Sequence, residues 1–166
     1  MLVLGIDPGT AITGYGLVRE KEDDSLALVD AGIITTPANQ PLATRLQIIY
    51  YGLTKVAQES RPDAAAVEEL FFSRNVRTAL SVGHARGVAL LALAEAGLPI
   101  SEYKPMEVKQ AITGYGGADK RQVQEMVRML LRLDEAPQPD DVADALAVAI
   151  CHIHSARMVA LVAEAI

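Results

Sequence analysis

The chain has 166 residues, the length of one domain (1–166), and an apolar content of 51%, enough to fill a sizeable core. Its net charge of −6 argues against a uniformly basic nucleic-acid binder. No run of about 18 uncharged apolar residues marks a membrane-spanning helix, so no membrane is expected. The N-terminus has no basic segment ahead of its apolar stretch and carries Asp7 within it, so secretion is not expected. Cys151 is the only cysteine, which excludes an intramolecular disulfide and fits a reducing cytoplasm. Set in an apolar helical pattern, it reads as a small buried hydrophobe.

In chain order, Leu2–Asp7 predicts a buried strand. Ala11–Gly14 reads as a turn, Tyr15–Val18 as a second strand, and Leu26–Thr35 alternates into a third. From Leu42 the period becomes helical, with Leu42, Leu46, Ile49, Leu53, Val56 and Ala57 on one face until Pro62. Ala64–Glu68 is a short apolar run of parallel-sheet character. Val76–Ala96 is a long Ala-rich helix ended by Gly97, and Ile100–Tyr103 is a strand. Pro105–Ile112 is a short helix with Pro in its first turn. Gly114-Tyr115-Gly116-Gly117 reads as a flexible loop, the one segment expected to be mobile. Asp119–Leu133 is amphipathic, and Pro137 and Pro139 precede a last helix from Asp140 to about Ala163. Three strands in hairpin order followed by alternating strands and helices predict an α/β fold with a mixed sheet.

Four acids stand out. Asp7 and Glu68 each end an apolar strand, where desolvating a carboxylate is costly unless a cation or donors meet it. Asp141 and Asp144 are three apart on the last helix and project from one face. Singly, each has a plain reading: Asp7 as a turn former before Pro8-Gly9-Thr10, Glu68 as the partner of a buried Arg, Asp140 as a helix cap. Together they suit hard divalent ions such as Mg²⁺. Two such ions can activate a water and stabilise the leaving oxygen in phosphodiester cleavage. His152 and His154, farther along the helix, read as core or surface histidines.

Charge is unevenly spread. Residues 71–121 hold seven Lys/Arg against four acids, a net of +3, which leaves −9 elsewhere. Lys109, Lys120 and Arg121 flank the Gly-rich loop or open a helix, where cations and backbone N–H groups suit phosphate. Arg74, Asn75 and Arg77 follow Phe71-Phe72 in a polar link that could reach DNA; solvated surface charge is the plain alternative. Gly83 and Gly87, among several alanines, keep the long helix thin for close packing on the sheet or on a partner.

These residues resemble the RuvC family of Holliday-junction resolvases. The resemblance rests on Gly5-Ile6-Asp7-Pro8-Gly9-Thr10, Thr13-Gly14-Tyr15-Gly16 and Val67-Glu68-Glu69-Leu70-Phe71. It extends to Gly83-His84-Ala85-Arg86-Gly87-Val88, Val108-Lys109-Gln110 and Ala143-Asp144-Ala145-Leu146-Ala147. It spans nearly the whole chain in order. It implies an RNase H-like fold, a mixed five-stranded sheet flanked by helices, and a homodimer contacting through Gly83 and Gly87. It also implies symmetric, Mg²⁺-dependent nicking of four-way DNA junctions in recombination and repair, with two ions per subunit and Mn²⁺ as a possible substitute. Carried over by motif, Asp7, Glu68, Asp141 and Asp144 are the catalytic metal ligands. By the motif Phe71 is the aromatic that stacks on DNA, which leaves Phe72 to the core; the reversed assignment and packing of both rings under the long helix are the alternatives. RuvA and RuvB are implied as branch-migration partners by the resemblance alone. Glu69 stands where related sequences can carry a neutral amide. The alternatives are a RuvC-like nuclease of structured RNA, an actin-like ATPase or sugar kinase, whose second lobe would not fit in 166 residues, and a silent DNA-binding module.

Overall fold

The computed structural model describes residues 1–69 and 76–164, except for the side chains of residues 76–78 and 164. Strands run over Leu2–Asp7 (β1), Ile12–Glu20 (β2), Leu26–Thr35 (β3), Ala64–Glu68 (β4) and Ile100–Tyr103 (β5). Helices run over Leu42–Ser60 (α1), Val76–Glu95 (α2), Pro105–Thr113 (α3), Lys120–Leu130 (α4) and Asp140–Glu164 (α5). The strands form one sheet in the order β3-β2-β1-β4-β5. β1–β2 and β2–β3 are antiparallel, whereas β1–β4 and β4–β5 are parallel. The expected mixed five-stranded sheet flanked by helices is therefore present.

Strand alternation divides the core in two. Val3, Val18 and Ala66 face α5, where they meet Leu146, Ile150 and Ile153. Leu4, Ile6, Leu17 and Val67 face the other way, onto Ile49 and Leu53 of α1 and Leu93 of α2. Each fully buried aliphatic chain contributes roughly 1.5–3 kcal/mol. The same alternation sends Asp7, one step past Ile6, and Glu68, one step past Val67, to the α5 face.

Three glycines let α5 lie directly on the sheet. A Cβ on Gly5 would strike the Ala145 carbonyl and come within 2.7 Å of the Ala149 nitrogen. One on Gly14 would strike the Asp141 carbonyl, and one on Gly16 the Leu146 side chain at 2.6 Å. Gly14 pairs with Asp7 across the β1–β2 ladder. The close approach at Gly14 therefore brings the start of α5 beside the end of β1.

Several boundaries differ from the sequence expectations. β2 begins at Ile12 rather than Tyr15, because Thr13 Oγ1 donates to the Gly9 carbonyl at 2.8 Å and closes the turn earlier. α1 ends with Arg61 in the left-handed region, φ 46°, its N–H donating to the Ala57 carbonyl. The stretch Asp140–Ala163 is long and apolar enough to cross a membrane by length and composition. Its apolarity has an internal cause: Val142, Ala143, Ala145–Cys151 and Ile153 are buried in the fold. Cys151 is buried as expected, and burial pushes its thiol up to about 11.

Specific bonds from α3 reach the Gly114–Gly117 segment. Gln110 Nε2 donates to the Gly114 carbonyl at 2.8 Å, and Gly116 N–H donates to Gln110 Oε1 at 3.0 Å. Tyr115 N–H donates to Thr113 Oγ1 at 3.2 Å.

Candidate active site

Asp7 and Glu68 end neighbouring parallel strands, since Ile6 pairs with Val67. The turn after Asp7 is fixed by a buried chain of bonds: Thr36 Oγ1 donates to the Thr10 carbonyl at 2.5 Å, and Arg45 Nε donates to Thr36 Oγ1 at 2.8 Å. Asp141 and Asp144 approach from the first turns of α5. Helical spacing gives them one face, and the Gly14 contact sets their height above the sheet.

The electrostatics confirm that these groups feel one another. Burial, then Glu68, Asp144 and Asp141, push the Asp7 carboxyl up to about 7. Burial and then Asp144 push Glu68 up to about 7, against the opposing pull of Lys120 and Lys109. Burial also raises Asp144, although Lys120 offsets part of this. Such shifts mark a cluster short of positive charge.

The chain supplies one cation itself. Lys120 Nζ lies 2.9 Å from Asp144 Oδ2 and 3.3 Å from Asp140 Oδ2. Burial alone would lower its pKa, but the bonds to Asp144 and Asp140 raise it on balance. The half-exposed pair with Asp144 contributes about 0.5–1 kcal/mol. Asp140 also accepts from Gln124 Nε2 at 2.8 Å, and this bond followed by Lys120 holds its carboxyl below the usual range. Asp140 thus links α4 to α5, a role the capping pattern did not reveal.

Among the described residues, no three His, Cys, Asp or Glu side chains converge closely enough to hold a metal ion as they stand. The donor set nevertheless fits a hard divalent cation: oxygen ligands only, half-buried, with two carboxyls pushed up to about 7 by one another and by burial.

Lys109 is half-buried on α3, and its charge acts on Glu68. Arg121 is exposed and lines a separate hollow with Thr113, Tyr115 and Gln122, apart from the acids. Phe71, Arg74 and Asn75 lie outside the described residues, as does Phe72. Arg77 is the second residue of α2, and its side chain is likewise outside them. On α2, Leu80 (61% exposed), His84, Gly87 and Leu91 (52% exposed) share a face, with open space around Gly87; Gly83 is half-buried beside it. His152 Nδ1 lies 2.9 Å from the Tyr103 hydroxyl and His154 Nδ1 lies 3.2 Å from the Ala111 carbonyl, so neither faces the acids. An apolar hollow of about 770 Å³ beside Tyr103, Met106, Tyr115 and Cys151 also excludes the four acids.

Sequence reasoning missed Asp140 and Gln110. Both stood in quoted stretches, but the pairs they form, with Lys120 and with Gly114 and Gly116, depend on turns that spacing alone does not specify.

A mixed sheet in which the first strand, the parallel strand beside it and a late helix bring acids to one end defines the RNase H-like class of metal-dependent nucleases. Residues 3–152 match the family model described as crossover junction endodeoxyribonuclease RuvC. The chain is 62% identical over 156 residues to the crossover junction endodeoxyribonuclease RuvC of Chloroflexus aurantiacus, covering 94% of each chain. It is similar to the Thermus thermophilus RuvC structure at 43% identity and TM-score 0.88, and to T. thermophilus RuvC in complex with Holliday junction substrate at 44% and 0.90. Both similarities cover 95% of this chain and 96% of the other. The chain belongs to the RuvC family of crossover junction endodeoxyribonucleases.

Proposed function

We propose that this endodeoxyribonuclease resolves four-way DNA junctions with Asp7, Glu68, Asp141 and Asp144 as the ligands of two Mg²⁺ ions per subunit, in recombination and repair. The observation that carries the reading is the meeting of Asp7 and Glu68, at the ends of adjacent parallel strands, with the acids of α5. Asp7 and Glu68 would hold one ion, and Asp7 with Asp141 and Asp144 the other; Mn²⁺ suits the same oxygen set. When bound, the ions supply activation of a water and stabilisation of the leaving oxygen.

The chain's own groups do the rest. The acids would hold the ions whose charge meets the reacting phosphate. Lys109 and Lys120 add positive charge beside them, and Lys120 can exchange Asp144 for a phosphate oxygen. Arg121, Arg74, Asn75 and Arg77 would hold the arms of the junction through phosphate, and Phe71 would stack on a base freed at the crossover. Residues 1–166 act as one nuclease domain in the cytoplasm. A second copy would meet it across the Leu80, Gly87 and Leu91 face of α2, with Gly83 at its margin. A homodimer places two sites at fixed spacing, which paired nicking requires. RuvA and RuvB are partners by family.

Incubation of the purified protein with labelled four-way junction tests this reading. Symmetric nicks in two opposing strands are expected with Mg²⁺ and not with EDTA. An intact junction alongside trimmed structured RNA would reject it.

A further inference from the structure

Gln110 grips the Gly-rich loop at two residues, Gly114 and Gly116, while Thr113 holds Tyr115 between them. Its amide donates to the Gly114 carbonyl at 2.8 Å and accepts from the Gly116 N–H at 3.0 Å. Only one orientation of the amide satisfies both bonds. Gly114 itself ends α3 at φ 73°, where any other residue would be strained, so the chain reverses direction there and must be held on its return. From the loop, order passes to α4 in short steps. Ala118 N–H donates to the Tyr115 carbonyl at 3.1 Å, and the Ala118 side chain is buried. Asp119 then caps α4 reciprocally: its carboxylate accepts from Gln122 N–H at 2.9 Å, and Gln122 Oε1 accepts from Asp119 N–H at 2.8 Å. Lys120 is the first residue of α4 and reaches Asp144 at 2.9 Å.

Gln110 is also next to Lys109, whose charge acts on Glu68. One turn of α3 therefore supplies one lysine directly and governs the seat of the other. We propose that Gln110 is a positioning residue that sets Lys120 over the carboxylates by clamping the Gly114–Gly117 loop. The inference rests on the reading of Lys120 given above. Gln110 is exposed to solvent, and its two bonds are made to backbone, so neither core packing nor a surface role explains the double grip.

A double-substitution cycle tests it, with cleavage of labelled junction followed under single-turnover conditions. Q110A should fold and melt like the wild type, bind junction within about twofold, and cut at least about tenfold more slowly. K120Q should also cut slowly. The Q110A/K120Q protein should cut no more slowly than K120Q alone, because the clamp acts through that lysine. Amide exchange at Gly116 and Ala118 should quicken in Q110A. Equal slowing by Q110A in both backgrounds, or wild-type cutting by Q110A, would overturn the proposal. Wild-type cutting by K120Q would instead remove the role of Lys120, a separate failure. If Q110A does not fold, Q110E carries the same cycle: it keeps the acceptor for Gly116 and loses the donor to Gly114.

Discussion

Replacing Asp7 by Asn should make the protein more stable and inactive at once. The folded Asp7 carboxyl sits at about 7 against an ordinary 3.8, a rise of about 3 units. At about 1.36 kcal/mol per unit, ionising it in the folded site costs about 4 kcal/mol more than in the unfolded chain. Glu68 shares the same repulsion, and part of the site is open to water, so about 2 kcal/mol is the expected net gain on removing the charge. The sign follows from linkage. A raised folded pKa means the folded state holds this proton more tightly, so its contribution is full below 3.8 and is lost as pH rises to about 7. Asp7→Asn, which cannot ionise, escapes that loss. In EDTA at pH 8, its melting temperature should exceed that of the wild type by about 4–8 °C, at 2–4 °C per kcal/mol for a chain of this size. At pH 5 the gain should be smaller than at pH 8, and near pH 4 little of it should remain. Differential scanning calorimetry of both proteins across this range is the assay. Equal stability at pH 8, or a gain that does not vary with pH, would show that Asp7 does not share a crowded acidic site.

Three further outcomes follow from particular contacts. Metal binding should release protons and tighten from pH 6 to pH 8, since Asp7 and Glu68 must both ionise near 7 before they can ligate; isothermal titration in two buffers measures it. Gly14→Ala should cost about 2 kcal/mol or more and weaken cleavage, because its methyl meets the Asp141 backbone and lifts the start of α5; denaturant melts and junction assays read both effects. Gly87→Leu should stabilise the isolated helix by about 0.5–1 kcal/mol yet yield monomers in sedimentation, with paired nicking lost before single nicks. A wild type that sediments as a monomer at micromolar concentration would reject that interface.

The sequence disclosed the parts of the site more readily than their assembly. Asp7 and Glu68 were visible because each closes an apolar run, and an acid at such a place demands a reason. Asp141 and Asp144 were visible because helical spacing is local. The strand order was not: that β1 lies between β2 and β4 depends on long-range pairing, and only this order sets Asp7 beside Glu68. The thin backbone at Gly5, Gly14 and Gly16 was present in the motifs, but its purpose needed the partner helix. The bonds of Gln110 and Thr113 to the Gly114–Gly117 loop were not legible, because glycine composition says nothing of the side chains that meet it. The apolar length of α5 became explicable only once its inner face was seen in the core. Lys120 was expected at phosphate; its hold on Asp144 and Asp140 joins helices that a linear pattern does not relate.

Cleavage of a labelled four-way junction in Mg²⁺ by Asp144→Asn, measured beside junction binding by the same protein, tests the metal-binding centre most directly. Asp144 is half-buried on the helix that faces Asp7, and the amide preserves its shape while removing its charge. Cleavage should fall by at least about a hundredfold while binding persists within a fewfold of the wild type. Cleavage at the wild-type rate would contradict the assignment of these acids as the metal-binding centre.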